Sequence, residues 1–220
     1  MAQKLSSERY KRWMEFLLLF CLLPVLLIAN RDYLVSFVIP CLVIAGGYCS
    51  AVLWADPKFK RKRLGRLSDV RKYRQYLHLS FTLWVAIVTL VCWYWMPSLF
   101  LSLPLQQPYL WLVTLLLYPL LSVIPQELIF RTFFFHRFKK LFPAKILRVG
   151  VSSLCFSMLH GLYGNWIAVI VSAAGGLLFG LTYANTKSTL IVVIQHSAWG
   201  LLLLTIGVGN YFNSDMLVAG

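Results

Sequence analysis

The sequence predicts an all-α fold: a polytopic membrane bundle of about seven transmembrane helices. Three observations lead there, namely the share of apolar residues, the lengths of the apolar runs and the placement of the cations. Of the 220 residues, 60% are hydrophobic and 13% charged, and the mean hydropathy is +0.73. Ordinary soluble domains are about 45–50% apolar and roughly 25% charged. A soluble globular enzyme, a disordered chain and a secreted disulfide scaffold are excluded by that balance, and no stretch is polar enough to form a separate soluble domain.

A helical span requires about 20 mainly apolar residues. The first such run, 13–30, is too long for a signal-peptide core and lacks a small-residue cleavage site, so it reads as an uncleaved anchor. The second covers 33–54 and the third 77–101. The fourth, 109–138, is too long for one straight span; Pro119 and Pro125 inside it are expected to kink it or to mark where its membrane part begins. Runs at 146–163, 166–185 and 188–208 complete the set. The Gly176-x-x-x-Gly180 pair in the sixth permits close helix packing. The chain divides into N-terminal helices (1–108) with a basic loop at 55–76, a core of helices (109–208) and a short tail (209–220).

The net charge of +14 would point to nucleic acid in a soluble protein, but its distribution points to a membrane surface. Lys4, Arg9, Lys11 and Arg12 precede the first run, nine cations lie between Lys58 and Arg74, and six lie between Arg131 and Arg148. By the positive-inside rule the amino terminus is cytoplasmic, seven spans put the carboxyl terminus outside, and Arg31 is the lone cation there. In a bacterial host the membrane would be the inner one. The Asp56–Gln75 stretch is expected to form an interfacial helix on anionic lipid headgroups, with no nucleic-acid partner. The five cysteines all fall in apolar runs without C-x-x-C spacing and read as packing residues.

Ionisable groups in hydrocarbon cost about 2.5–3.5 kcal/mol each on insertion scales, and they mark functional sites by default. Four stand out: Glu127, Arg131, His160 and His196. At a rise of about 1.5 Å per residue, Glu127 lies roughly 18 Å above Lys139, His160 roughly 18 Å above Arg148, and His196 roughly 14 Å above Lys187. A carboxylate and two imidazoles thus reach similar depth on three helices. Glu127 and Arg131 are four residues apart and face one side of their helix, where they can pair. A carboxylate beside imidazoles suits water activation and hydrolysis. The same His160, His196 and Glu127 also make a zinc donor set, although no H-E-x-x-H motif is present.

At these residues the chain resembles the CPBP family of intramembrane proteases, which includes type II CAAX prenyl proteases and bacteriocin-processing (Abi-type) proteins. The family's E-E-x-x-x-R motif corresponds to Gln126-Glu127-Leu128-Ile129-Phe130-Arg131. Its F-x-x-x-H motif is matched by Phe156-Ser157-Met158-Leu159-His160, and its H-x-x-x-N/D motif begins at His196 but reaches Gly200 where Asn or Asp is expected. The resemblance implies an intramembrane endopeptidase acting on a membrane-bound or lipidated protein. Glu127, His160, His196 and Arg131 are then its catalytic residues, with Glu127 as base or metal ligand, Arg131 orienting it, and zinc as the one cofactor in question. Gln126 stands where the family's water-activating glutamate is found. It and Asn165 are candidate substrate-binding residues, and Asn165 or Gln195 could replace the side chain that Gly200 lacks. A silent relative that binds membrane peptides without cutting them, and a small proton-coupled transporter, are the alternative readings.

Overall fold

The computed structural model describes residues 2–66 and 70–212; regular structure among them is helical, with no strand. In chain order the main helices are α1 (Ser7–Ala29), α2 (Arg31–Ala55), α3 (Val70–Trp95), α4 (Pro108–Arg137), α5 (Lys145–Tyr163), α6 (Trp166–Thr186) and α7 (Thr189–Thr205). Five of them, α1, α2, α4, α5 and α6, are long and apolar enough to cross a membrane; α7 and the Trp84–Trp95 part of α3 are shorter apolar helices. Their outer faces carry exposed Leu22 and Leu26 on α1, Leu116 and Leu120 on α4, and Leu154 on α5. Such a continuous apolar exterior requires lipid rather than water around it. The chain is an all-α integral membrane bundle.

Two expectations change on the structure. The basic stretch expected as an interfacial helix is a series of turns up to Arg66, with one 3₁₀ turn at Arg61–Arg63, and its last residues belong to α3, which begins at Val70. Pro57 follows Asp56, whose carboxylate accepts the Lys58 backbone N–H at 2.9 Å, and this local turn competes with helix formation. The Leu190 N–H donates to the Leu64 carbonyl at 3.1 Å, pinning the loop to the start of α7. Residues 67–69 of that stretch lie outside the described residues, as do 213–220 of the expected tail. The rest of the tail is not free: Val208–Phe212 forms a 3₁₀ turn, and Val208 packs with Cys92 of α3.

α4 is one unbroken helix of 30 residues. Its two internal prolines do not break it: Pro119 lies in a π-helical turn at Tyr118–Val123, Pro125 in the α-helical segment that follows, and a second π-helical turn runs over Leu128–Phe133. Proline removes the N–H that would bond four residues back, and a wider π turn accommodates that loss; such bulges are frequent at functional sites. α2 closes on this segment at Gly46, where a Cβ would sit 2.9 Å from the Pro125 Cβ. On the other side, Phe16 and Phe20 of α1 meet Phe134 of α4 edge-on at 6.2 and 5.2 Å between ring centroids. The α5–α6 contact is as close as the Gly176-x-x-x-Gly180 spacing predicts. A Cβ at Gly176 would approach the Ser153 Cα at 3.1 Å, and one at Gly180 the Val149 Cγ1 at 3.1 Å.

The basic end of the bundle is tied by polar contacts. Arg137 Nε donates to both Glu15 oxygens at 3.0 and 2.9 Å, Arg12 Nη1 donates to the Arg137 carbonyl at 2.6 Å, and His136 Nε2 meets Asp56 Oδ2 at 2.8 Å. The hydrogen bond from His136, helped by the Lys58 N–H, holds the Asp56 carboxyl below its usual range. A depressed carboxylate stabilises the fold above its unfolded value of about 3.9, and that contribution disappears as pH falls through the lower folded value. Asp56→Asn should therefore lower the thermal midpoint at pH 7, and the gap to wild type should close once pH drops below the carboxylate range. Melting curves in lipid nanodiscs across that interval check it.

Candidate active site

The site is built outward from α4. Glu127 and Arg131, one turn apart, are both 0% exposed, with Arg131 Nε 3.2 Å from Glu127 Oε2. An isolated charge could not stay ionised in such surroundings, whereas a pair with further polar partners can. Arg131 Nη2 donates to the Gly176 carbonyl of α6 at 3.3 Å. Its guanidinium carbon lies 4.4 Å from the Phe156 ring centroid and 5.6 Å from that of Phe179, so aromatic faces take up the remaining positive field.

The second Glu127 oxygen is taken by α7. A tight turn, with Lys187 left-handed at φ 51° and the Ser188 hydroxyl capping the Ile191 N–H at 3.3 Å, reverses the chain after α6. His196 then projects inward with Nδ1 2.7 Å from Glu127 Oε1, and its ring stacks on Phe179 at 4.4 Å and 22°. With Glu127 ionised against Arg131, Nδ1 carries the imidazole hydrogen and Nε2 its lone pair. That Nε2 lies 3.4 Å from the Tyr118 hydroxyl.

His160 arrives from α5, where the α-helix tightens into a 3₁₀ turn at His160–Tyr163. Its Nδ1 is 2.8 Å from the Phe156 carbonyl. A carbonyl only accepts, so the hydrogen is on Nδ1 and Nε2 is again the acceptor. Phe156 joins the two imidazoles: its ring is 4.6 Å from His160 and 5.8 Å from His196, centroid to centroid.

In front of these groups lies a cavity of about 1230 Å³, walled mostly by apolar side chains of α3, α4, α6 and α7. Both histidines line it, together with Tyr118, Gln126, Gln195, Phe156 and Phe179; Glu127 and Arg131 stand behind the wall. Gln126 Nε2 donates to the Ser122 hydroxyl at 2.8 Å, while the Oε1 atoms of Gln126 and Gln195 are buried without a protein partner. Asn165 does not line the cavity. It caps α6, accepting the Ala168 N–H at 2.8 Å and donating to the Tyr163 and Tyr211 carbonyls at 3.1 and 2.7 Å, so its polar atoms are committed to the fold.

The donor set does not suit zinc. A catalytic zinc takes three protein ligands and keeps a fourth position open. Glu127 is held between Arg131 and His196, His160 Nδ1 is spent on a backbone carbonyl, and the described residues contain no group of three His, Cys, Asp or Glu able to hold a metal ion. The arrangement offers instead two imidazole acceptors facing one cavity, one of them backed by a buried carboxylate. Tyr118, Phe179 and Phe212, whose ring is 5.7 Å from His160, were not singled out from sequence, because aromatic residues in apolar helices carry no distinguishing pattern.

An integral helical bundle with a buried Glu–Arg–His cluster behind an apolar cavity defines the class: a membrane protein with an intramembrane polar site. Residues 108–202, from the start of α4 into α7, match the family model described as type II CAAX prenyl endopeptidase Rce1-like. The resemblance drawn from the three motifs is thereby borne out over that span. Comparisons with curated proteins and with solved structures give no match.

The buried pair makes a double-mutant prediction. Arg131→Met strands the Glu127 carboxylate and should cost about 3–5 kcal/mol, whereas adding Glu127→Gln should recover most of that loss. Unfolding of the three variants and wild type in nanodiscs measures it, and simply additive effects would contradict the pairing.

Proposed function

We propose that the protein is an intramembrane endopeptidase that hydrolyses a peptide bond of a membrane-anchored or lipidated substrate. The observation that carries this reading is the line from Glu127 through His196 to the cavity: a carboxylate, 0% exposed, 2.7 Å from the Nδ1 of an imidazole that lines the cavity. A carboxylate–imidazole pair of this kind activates a nucleophile in water-poor sites, because the carboxylate holds the tautomer and stabilises the imidazolium as it forms. The family match over 108–202 supports the same chemistry.

In this mechanism His196 Nε2 takes a proton from a water molecule as its oxygen attacks the scissile carbonyl, and later delivers that proton to the leaving nitrogen. His160 Nε2 accepts the water's other hydrogen and aims its lone pair. Glu127 acts on His196 rather than touching the water, which follows from its place behind the wall and explains how the site works with Gln126 at the first motif position. Gln126 and Gln195 line the cavity, and their side-chain amides are fit to pair with the backbone groups of an extended substrate. The apolar remainder of the cavity suits a membrane segment or lipid chain, being larger than the ~300–1,000 Å³ usual for small-ligand pockets. The exposed cations Lys58, Lys60, Arg61 and Lys62 are proposed to rest on anionic headgroups at the cytoplasmic face, where the amino terminus also lies.

The test is cleavage of a panel of membrane-anchored and prenylated peptides by the purified protein in lipid. His196→Gln, which keeps an N–H for Glu127 but supplies no base, should lower turnover by about 10²–10⁴, and His160→Gln should do likewise, each with an unchanged helical spectrum. Wild-type rates in both variants would refute the mechanism. Cleavage that appears only on Gln126→Glu would identify a protein that binds peptides without cutting them.

A further inference from the structure

A tetrahedral intermediate places negative charge on the former carbonyl oxygen, and a site that forms one needs a hydrogen-bond donor aimed at it. Of the polar groups that line the cavity around His196, the imidazole Nε2 atoms are acceptors and Gln126 already spends an amide N–H on Ser122, so the donors are hydroxyls such as that of Tyr118 and the remaining side-chain amides. Position 200, one turn beyond His196 on the same face of α7, carries no side chain. The structure shows what occupies that space. A Cβ built on Gly200 would collide with the Tyr118 hydroxyl and with the adjacent ring carbons Cε1 and Cζ. The phenol thus fills the volume of a residue-200 side chain, reaching across from α4 to α7.

We propose that Tyr118 is the catalytic donor of this site: its O–H stabilises the developing oxyanion, in the space left open by Gly200. This rests on the peptidase reading above. At rest the hydroxyl lies 3.4 Å from His196 Nε2, longer than the 2.5–3.0 Å of ordinary O–H hydrogen bonds. With Nδ1–H committed to Glu127, Nε2 is the acceptor and Tyr118 the donor. A bond that long is weak and readily exchanged for a better acceptor. When a substrate carbonyl enters, the O–H turns from Nε2 to the carbonyl oxygen. That frees the Nε2 lone pair for the nucleophilic water.

The water oxygen then bonds to the carbonyl carbon as its proton passes to His196 Nε2. The carbonyl π pair moves onto oxygen, where Tyr118 holds it by a hydrogen bond without giving up its proton. Collapse re-forms the C=O bond and breaks the C–N bond, and the imidazolium returns its proton to the leaving nitrogen. The edge-on approach of the Tyr118 and His196 rings, 6.3 Å between centroids and 80° between planes, sets the hydroxyl beside the imidazole edge rather than over its face, as this exchange requires.

The experiment measures kcat and KM for peptide cleavage in lipid by wild type, Tyr118→Phe, Gly200→Ala, Tyr118→Ala and Tyr118→Ala/Gly200→Asn. Tyr118→Phe keeps the ring and should lower kcat by about 10²–10³, with KM changed by less than about threefold. Gly200→Ala, whose methyl displaces the phenol from its place, should lower kcat similarly although residue 118 is untouched. The double variant puts an amide donor into the vacated volume and should recover at least about tenfold over Tyr118→Ala. Wild-type kcat in Tyr118→Phe overturns the donor role and leaves the peptidase reading standing. A double variant no better than Tyr118→Ala overturns the shared-space argument. Absence of cleavage by the wild type overturns the peptidase reading and the donor role with it.

Discussion

The constraint on which the site depends is an ion pair with no access to water. Glu127 and Arg131 are both fully buried, 3.2 Å apart, in a bundle whose exterior is apolar. Removing two charges from water is expensive, and attraction between them offsets the cost only where other groups complete their surroundings. Here the completion comes from three helices. α6 supplies the Gly176 carbonyl and the Phe179 ring, α5 supplies Phe156, and α7 supplies His196. The close approach of α5 and α6 at Gly176 brings the Gly176 carbonyl and Phe156 to the same guanidinium.

Enclosure also divides the labour. Since the pair uses one oxygen of Glu127 for Arg131 and the other for His196, the carboxylate influences the cavity only through the imidazole. Among the described residues, no Asp, Glu, Lys or Arg lines the cavity; its polar groups are imidazoles, amides, phenols and hydroxyls. Neutral groups are far cheaper to keep in an apolar wall than charges are. On the proposed mechanism a charge develops there only as His196 takes a proton, one hydrogen bond away from the Glu127 carboxylate.

Much of this was legible in the sequence. The seven apolar helices follow from run length, and the convergence of Glu127 with His196 follows from matched depth on separate helices. The four-residue spacing of Glu127 and Arg131 predicted their contact, and the glycine pair marked a site of close helix packing without naming α5 as the partner. Other features depend on contacts that no local pattern encodes. The seating of α2 against Pro125 at Gly46 is one such contact. The basic stretch is pinned at Leu64, whose carbonyl accepts the Leu190 N–H of α7. Asn165 was read as a substrate-binding candidate, but an asparagine after Gly164, which is left-handed at φ 69°, caps the next helix. The exchange of side chain between positions 118 and 200 spans 82 residues of sequence and is visible only where the two helices meet.

The most direct measurement is the ¹⁵N spectrum of the two cavity imidazoles in labelled protein held in lipid at neutral pH, with His160 and His196 assigned by substitution. Both rings should carry hydrogen on Nδ1 and a lone pair on Nε2, and Glu127→Gln should alter the His196 signals while leaving those of His160 in place. Hydrogen on Nε2 with a bare Nδ1 at His196 would contradict the account, for the buried carboxylate would then not be what sets the imidazole facing the cavity.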